Sequence, residues 1–226
     1  MPLNLPLNLI APIIYLITSG ETSPQTTPQT KDFSQLLRLV EAAVAAEINL
    51  IQLREKNLRT SILYDLTARA AEIVQGSQTH LLVNDRADVA LAAGASGVHL
   101  TSRSIRASVI RQTFGAEFLI GVSTHSSEEV EAARSDAADF AVFGPVFETA
   151  SKLVYGQPLG PESLKHVAVK SGSFPILALG GITLDNVGDC FRAGASGIAA
   201  IRLLENPNLL PGVAEKIRER FSESKQ

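Results

Sequence analysis

Gln52-Leu53-Arg54-Glu55-Lys56 follows directly on the apolar stretch Ile48-Asn49-Leu50-Ile51. In extended chain, successive side chains take opposite faces, so Gln52, Arg54 and Lys56 share one side while Leu53 and Glu55 share the other. An amide and two cations leaving the end of a buried strand make an anion clamp, with Arg54 able to bind bidentately. An ordinary solvated loop is the competing explanation. Asn84 and Asp85 end a second apolar run, His80–Val83. Asp85 is either the N-cap of a helix starting near Arg86 or a hard oxygen ligand for Mg²⁺, which takes only one or two protein carboxylates.

His125 ends a third run among polar neighbours, where an imidazole can donate to phosphate or move a proton near neutral pH; a plain loop histidine is the alternative. His99 lies between Val98 and Leu100 and reads equally as a satisfied interior group, while His80 and His166 read as structural or solvated. Gly180-Gly181 separates an apolar run from a helical one, so it serves either a tight turn or the approach of backbone amides to a phosphate. Lys152 adds a cation, beside Thr149 and Ser151, on a segment long enough to fold over a ligand. The histidine spacing matches no zinc site, and no activated serine or cysteine stands out.

The elements that position these groups alternate. Short apolar runs at 13–17, 48–51, 80–83, 97–100, 118–122, 140–143, 176–179 and 197–201 read as strands buried on both faces. Helical spacing fills the intervals: 33–46, 62–74, 88–93, 105–114, 127–134, 161–170, 184–193 and 211–221. Ser126 and Glu129 form a capping box for the fifth helix. Residues 21–30, rich in Pro, Thr, Gln and Ser, read as a long mobile loop able to act as a lid, and 144–160 as a second long loop. Ala93-Gly-Ala-Ser-Gly-Val98 recurs as Ala193-Gly-Ala-Ser-Gly-Ile198, with weaker echoes at 45–50 and 137–140, each at a helix-to-strand junction.

Repeated βα units at 226 residues predict an α/β protein, a single (β/α)8 TIM barrel over 1–226, with 1–12 as an N-terminal extension and 222–226 as a polar tail. A doubly wound open sheet is the alternative, without an early glycine-rich dinucleotide loop. The polar clusters all follow strands, on the rim where such barrels carry their sites. A net charge of -3 excludes a global attraction to nucleic acid or an anionic membrane and leaves small anionic substrates. The lone Cys190 excludes an internal disulfide and agrees with a reducing, cytoplasmic setting. The N-terminal segment lacks a basic signal-peptide region, and 9–17, broken by Pro12, is too short to span a bilayer.

Gln52-Leu-Arg-Glu-Lys56, Val83-Asn-Asp-Arg-Ala-Asp-Val-Ala-Leu91, Gly97-Val-His-Leu100, Ile120-Gly-Val-Ser-Thr-His125, Phe143-Gly-Pro-Val-Phe-Glu-Thr149 and Gly180-Gly-Ile-Thr183, in this order, resemble the thiamin phosphate synthase/TenI family. The resemblance implies the barrel inferred above and an Mg²⁺-assisted coupling of hydroxymethylpyrimidine diphosphate to a thiazole phosphate, releasing pyrophosphate. It implies that Gln52, Arg54, Lys56 and Asn84 hold the pyrimidine diphosphate, with Asp85 on Mg²⁺. Ser123 then serves the reacting pair and Lys152 the pyrophosphate. Thr149, Ser151 and backbone at Gly181 and Ile201 serve the thiazole phosphate, and a homodimer is the family expectation. Two departures stand out: Thr101-Ser-Arg-Ser104 replaces Gly-Gln-x-Asp, so Ser104 stands where a second carboxylate is usual, and Arg202 replaces a serine. The loops at 101–104 and 147–149 are similar to the TenI branch, whose thiazole tautomerases need no metal, and there His125 would move the proton. A non-catalytic barrel that binds thiazole phosphate and regulates a partner is a third reading.

Overall fold

The computed structural model describes residues 11–149 and 157–226. Its parallel strands, β1 (Ile13–Ile17), β2 (Leu50–Leu53), β3 (His80–Asn84), β4 (Gly97–Leu100), β5 (Leu119–Thr124), β6 (Phe140–Phe143), β7 (Ile176–Leu179) and β8 (Gly197–Ala200), follow one another in sequence order around a closed barrel. The helices between and after them are α1 (Lys31–Ala45), α2 (Thr60–Val74), α3 (Ala87–Ala92), α4 (Ala107–Phe114), α5 (Ser127–Ser135), α6 (Gly160–Ser171), α7 (Val187–Arg192) and α8 (Leu210–Glu223). The (β/α)8 expectation therefore holds, and the open-sheet alternative falls.

Contacts group the chain into two compact units. Among the described residues, one contains Ile14–His99 with Ala200–Lys216, the other Leu100–Ala199 and Ile217–Gln226 with residues 11–13. In the first, β1, β2 and β3 pair in the register Ile17↔Gln52 and Gln52↔Leu82, and α1 lays Phe33, Leu39, Val40 and Ala43 into the core. In the second, Ser123 on β5 pairs with Val142 on β6, which pairs with Leu177 on β7.

The repeated junction has a single physical basis. Glu47, Gly94, Ala137 and Gly194 all take positive φ after their helices. At each, the next amide reaches back to the last helical turn: Ile48 to Ala43 O, Ala95 to Ala90 O, Ala138 to Ala133 O and Ala195 to Cys190 O. This is the left-handed helix stop, which glycine adopts freely and which costs Glu47 and Ala137 on the order of 1 kcal/mol each.

Two sequence expectations need correction. The helix expected over 184–193 begins only at Val187, because the Asn186 side chain donates to Gly181 O (2.9 Å) and accepts from the Thr183 amide (2.8 Å), holding 183–186 as a turn. Residues 21–30 are fastened rather than loose. Thr22 and Thr26 are buried, Asn57 donates to Thr22 O, and the Thr26 hydroxyl donates to Asp32.

His99 is 2% exposed, and its Nδ1 lies 3.2 Å from the Tyr15 hydroxyl. Burial pushes its imidazole from 6.5 down to about 3. The unfolded chain therefore takes up a proton below about pH 6.5 that the fold refuses until about pH 3, so stability is complete above that window and is lost as pH falls through it. The expected slope from this group is about 1.4 kcal/mol per pH unit. Denaturant titrations between pH 6 and pH 4 should show a shallower loss in His99→Gln than in the parent; equal slopes would remove His99 as the source.

Candidate active site

In the first unit, Gln52 is 2% exposed and donates from Nε2 to Asn84 Oδ1 across 3.0 Å. Its Oε1 is buried and meets no hydrogen-bond partner among the described residues. A buried acceptor left open is costly, so this amide pair can take a further donor. Gln52 and Asn84 are thus brought together as the sequence suggests.

The rest of the clamp departs from simple alternation. β2 stops at Leu53, Arg54 follows half-buried, and Lys56 sits exposed in the turn that precedes α2. The expected shared strand face therefore ends at Arg54. Its amide donates to Thr18 Oγ1 (2.8 Å), and its guanidinium lies beside Gly20, where an added Cβ would come within 3.2 Å of Nη1.

Glu55 was given no role from the sequence, yet it is 3% exposed and accepts four hydrogen bonds. The donors are the hydroxyls of Thr18 (2.5 Å) and Thr22 (2.6 Å) and the amides of Gly20 (3.3 Å) and Thr22 (3.4 Å). Alternation sets Glu55 with Leu53, away from the two cations, but does not say which donors a buried carboxylate there would meet.

Asp85 takes φ 60 and is exposed, with its amide on His99 O (2.9 Å). It does not cap α3, whose N-cap is Arg86 and has no side-chain cap bond, so the capping explanation fails. A left-handed aspartate with no capping duty leaves a carboxylate open at the end of β3. Arg86 is occupied by Asp88 and Thr60. Among the described residues no three His, Cys, Asp or Glu side chains converge as a metal site. One hard carboxylate still fits Mg²⁺, which fills its octahedron mainly with water and substrate phosphate. Ile201 follows β8 and starts a short 3-10 helix, Arg202–Leu204, a position used for phosphate in such barrels.

In the second unit, Ser123 lies near the end of β5, half-buried, and His125 follows, exposed. The His125 Nδ1 contacts Gly144 O at 2.5 Å, and its amide donates to Glu129 Oε2 at 2.6 Å. A carbonyl only accepts, so Nδ1 carries a proton and Nε2 is the ring nitrogen left for proton exchange. The capping box is thus half realised: Ser126 accepts from the Glu129 amide, while the Glu129 carboxylate serves His125 instead of Ser126. Ser104 accepts from the Thr101 amide (2.7 Å) and lies 3.1 Å from the Thr101 hydroxyl, closing its own turn.

Gly180 and Gly181 have φ of +101 and +63, and a Cβ on Gly181 would meet Glu148 O at 2.3 Å. Their bareness admits the segment after β6, which pairs through Val146 N to Leu179 O and Phe147 N to Gly180 O. Close backbone approach therefore requires these glycines before any ligand does. Thr149 is half-buried; Ser151 and Lys152 lie outside the described residues. Burial pushes the Cys190 thiol up to about 12, so it is no nucleophile.

Strands that close into an eight-stranded parallel barrel and end in amide, guanidinium, carboxylate and imidazole groups define a (β/α)8 small-molecule enzyme. The family model described as thiamine monophosphate synthase matches residues 15–204, and the chain belongs to this TMP-TENI family. A Geobacter sulfurreducens protein with a provisional thiamine-phosphate synthase name is 43% identical over 166 residues, covering 74% of this chain and 78% of its own. The thiamine-phosphate synthase of Moorella thermoacetica is 36% identical over 185 residues, covering 81% and 87%. The solved thiamine phosphate pyrophosphorylase of Pyrococcus furiosus superposes with a TM-score of 0.74 at 27% identity, covering 94% of this chain and 96% of that one. Among the described residues no helix is long and apolar enough to cross a membrane.

Proposed function

We propose that this chain couples hydroxymethylpyrimidine diphosphate to hydroxyethylthiazole phosphate, giving thiamin phosphate and pyrophosphate. The observation that carries this reading is the Gln52–Asn84 amide pair with its open, buried Oε1, on strands followed by Arg54 and by Asp85, which caps no helix. The pair reads a heterocycle by donor and acceptor, and the guanidinium of Arg54 takes diphosphate oxygens bidentately. Lys56, exposed in its turn, adds a further positive charge.

In the reaction, the bond between the pyrimidine methylene carbon and the diphosphate oxygen breaks, and its electron pair leaves with pyrophosphate. The thiazole nitrogen then gives its lone pair to that carbon. No proton needs removing and no protein nucleophile is required. What the site must supply is charge on the leaving group. Asp85 would hold Mg²⁺, which when bound neutralises the departing diphosphate. Ser123 would face the reacting pair, and Thr149 with the Gly181 amide would bind the thiazole phosphate. Lys152 would meet the pyrophosphate on the family pattern alone. Formation of thiamin phosphate by the purified chain tests the proposal.

His125 favours a second reading, isomerisation of a carboxythiazole phosphate, because its Nδ1 bond to Gly144 O leaves Nε2 for proton exchange. On that reading His125→Ala should slow isomerisation about a hundredfold or more while thiazole phosphate still binds. On the coupling reading the same variant keeps its turnover within a few fold, measured as thiamin phosphate formed per second.

A further inference from the structure

We infer that Glu55 is a positioning residue for the Arg54 guanidinium, acting through the segment after β1; the inference rests on the coupling reading above. Glu55 lies between two cations in sequence, and an exposed carboxylate there would pair with them and cancel the clamp's charge. The structure prevents this by burying Glu55 and satisfying it elsewhere. Its oxygens are taken by two hydroxyls and two amides of Thr18, Gly20 and Thr22. Among the described residues no ion pair joins Arg54 to an acid.

The same bonds shape the wall beside Arg54. The Thr18 hydroxyl donates to Glu55 and accepts from the Arg54 amide (2.8 Å), so carboxylate, hydroxyl and arginine backbone form one chain. Gly20 is held to Glu55 through its amide (3.3 Å), and its bare Cα lies against the guanidinium and the Arg54 carbonyl. A Cβ there would stand 2.9 Å from that carbonyl oxygen. If Glu55 lets go, Thr18 and Gly20 move, and both fixed points of Arg54 move with them. The carboxylate thus does two things: its oxygens are taken up by Thr18, Gly20 and Thr22, and it fastens the surface that aims Arg54.

Glu55→Gln tests this sharply, because the side-chain amide would turn donors towards donors. Steady-state kinetics of the parent, Arg54→Ala, Glu55→Gln and the double variant supply a mutant cycle. Glu55→Gln is expected to raise KM for the pyrimidine diphosphate about tenfold, leaving KM for the thiazole phosphate unchanged. The double variant should be no worse than Arg54→Ala. Additive KM effects, or a fall in kcat with both KM values unchanged, would overturn the inference.

Thr22→Val removes one donor from the far side of the carboxylate and keeps the test open should Glu55→Gln not fold. It should raise the same KM about threefold; an unchanged value counts against the inference. If Arg54→Ala itself leaves the diphosphate KM untouched, the clamp fails and takes the positioning role with it. If only the Glu55 and Thr22 variants are silent, the clamp stands and the positioning role alone is lost.

Discussion

Asp85→Asn is expected to lower Mg²⁺-supported turnover by roughly a hundredfold to a thousandfold, the scale of losing one charge-stabilising group from a site. Asparagine is the informative replacement because Asp85 sits at φ 60, a conformation that Asn adopts more readily than Ala. Asp85→Ala would mix lost charge with added backbone strain. The carboxylate caps no helix and is exposed, so its removal leaves α3 as it is. Melting temperature should stay within a degree or two while the Mg²⁺ concentration for half-maximal rate rises steeply. Turnover and Mg²⁺ dependence both unchanged would take Asp85 out of the mechanism.

Gly197→Ala is expected to destabilise the fold by more than about 3 kcal/mol. A Cβ at this first residue of β8 would stand 2.0 Å from Ile13 O and 2.7 Å from the Ile13 carbonyl carbon. These are backbone atoms of β1, tied by the Ile13 amide to Ser196 O at 3.0 Å, and they cannot rotate away as a side chain would. The methyl group must therefore part the strands. Gly76→Ala is the matched control: it has open space and only a positive φ of +79, which costs about 1 kcal/mol. Denaturant unfolding should rank the two far apart. Similar losses would mean that the approach of Ile13 to Gly197 does not limit this position.

Much of the barrel was readable because strands buried on both faces are continuously apolar and because the helix stop repeats in the sequence itself. The Ala-Gly-Ala-Ser-Gly echo marks the left-handed junctions at Gly94 and Gly194; those at Glu47 and Ala137 use residues that propensity alone would not place there. The start of α7 differs from its apolar spacing because that spacing cannot register the Asn186 bonds to Gly181 and Thr183.

The site divides in the same way. Gln52 and Asn84 were legible as polar residues at the ends of apolar strands. Glu55 was not, because its role depends on residues 18–22, more than thirty positions away in sequence, folding against it. Nor was the reason for Gly180 and Gly181, which lies in the backbone approach of Pro145, Phe147 and Glu148. A short motif reports what a residue can offer, while partners distant in sequence decide whether the offer is used.

The most direct measurement is thiamin phosphate formation by the purified protein from hydroxymethylpyrimidine diphosphate and hydroxyethylthiazole phosphate, with Mg²⁺ and again with excess chelator. The coupling reading predicts product and stoichiometric pyrophosphate with the metal and neither with the chelator, despite Ser104. No product under either condition, together with metal-independent conversion of the carboxythiazole tautomer, would contradict it.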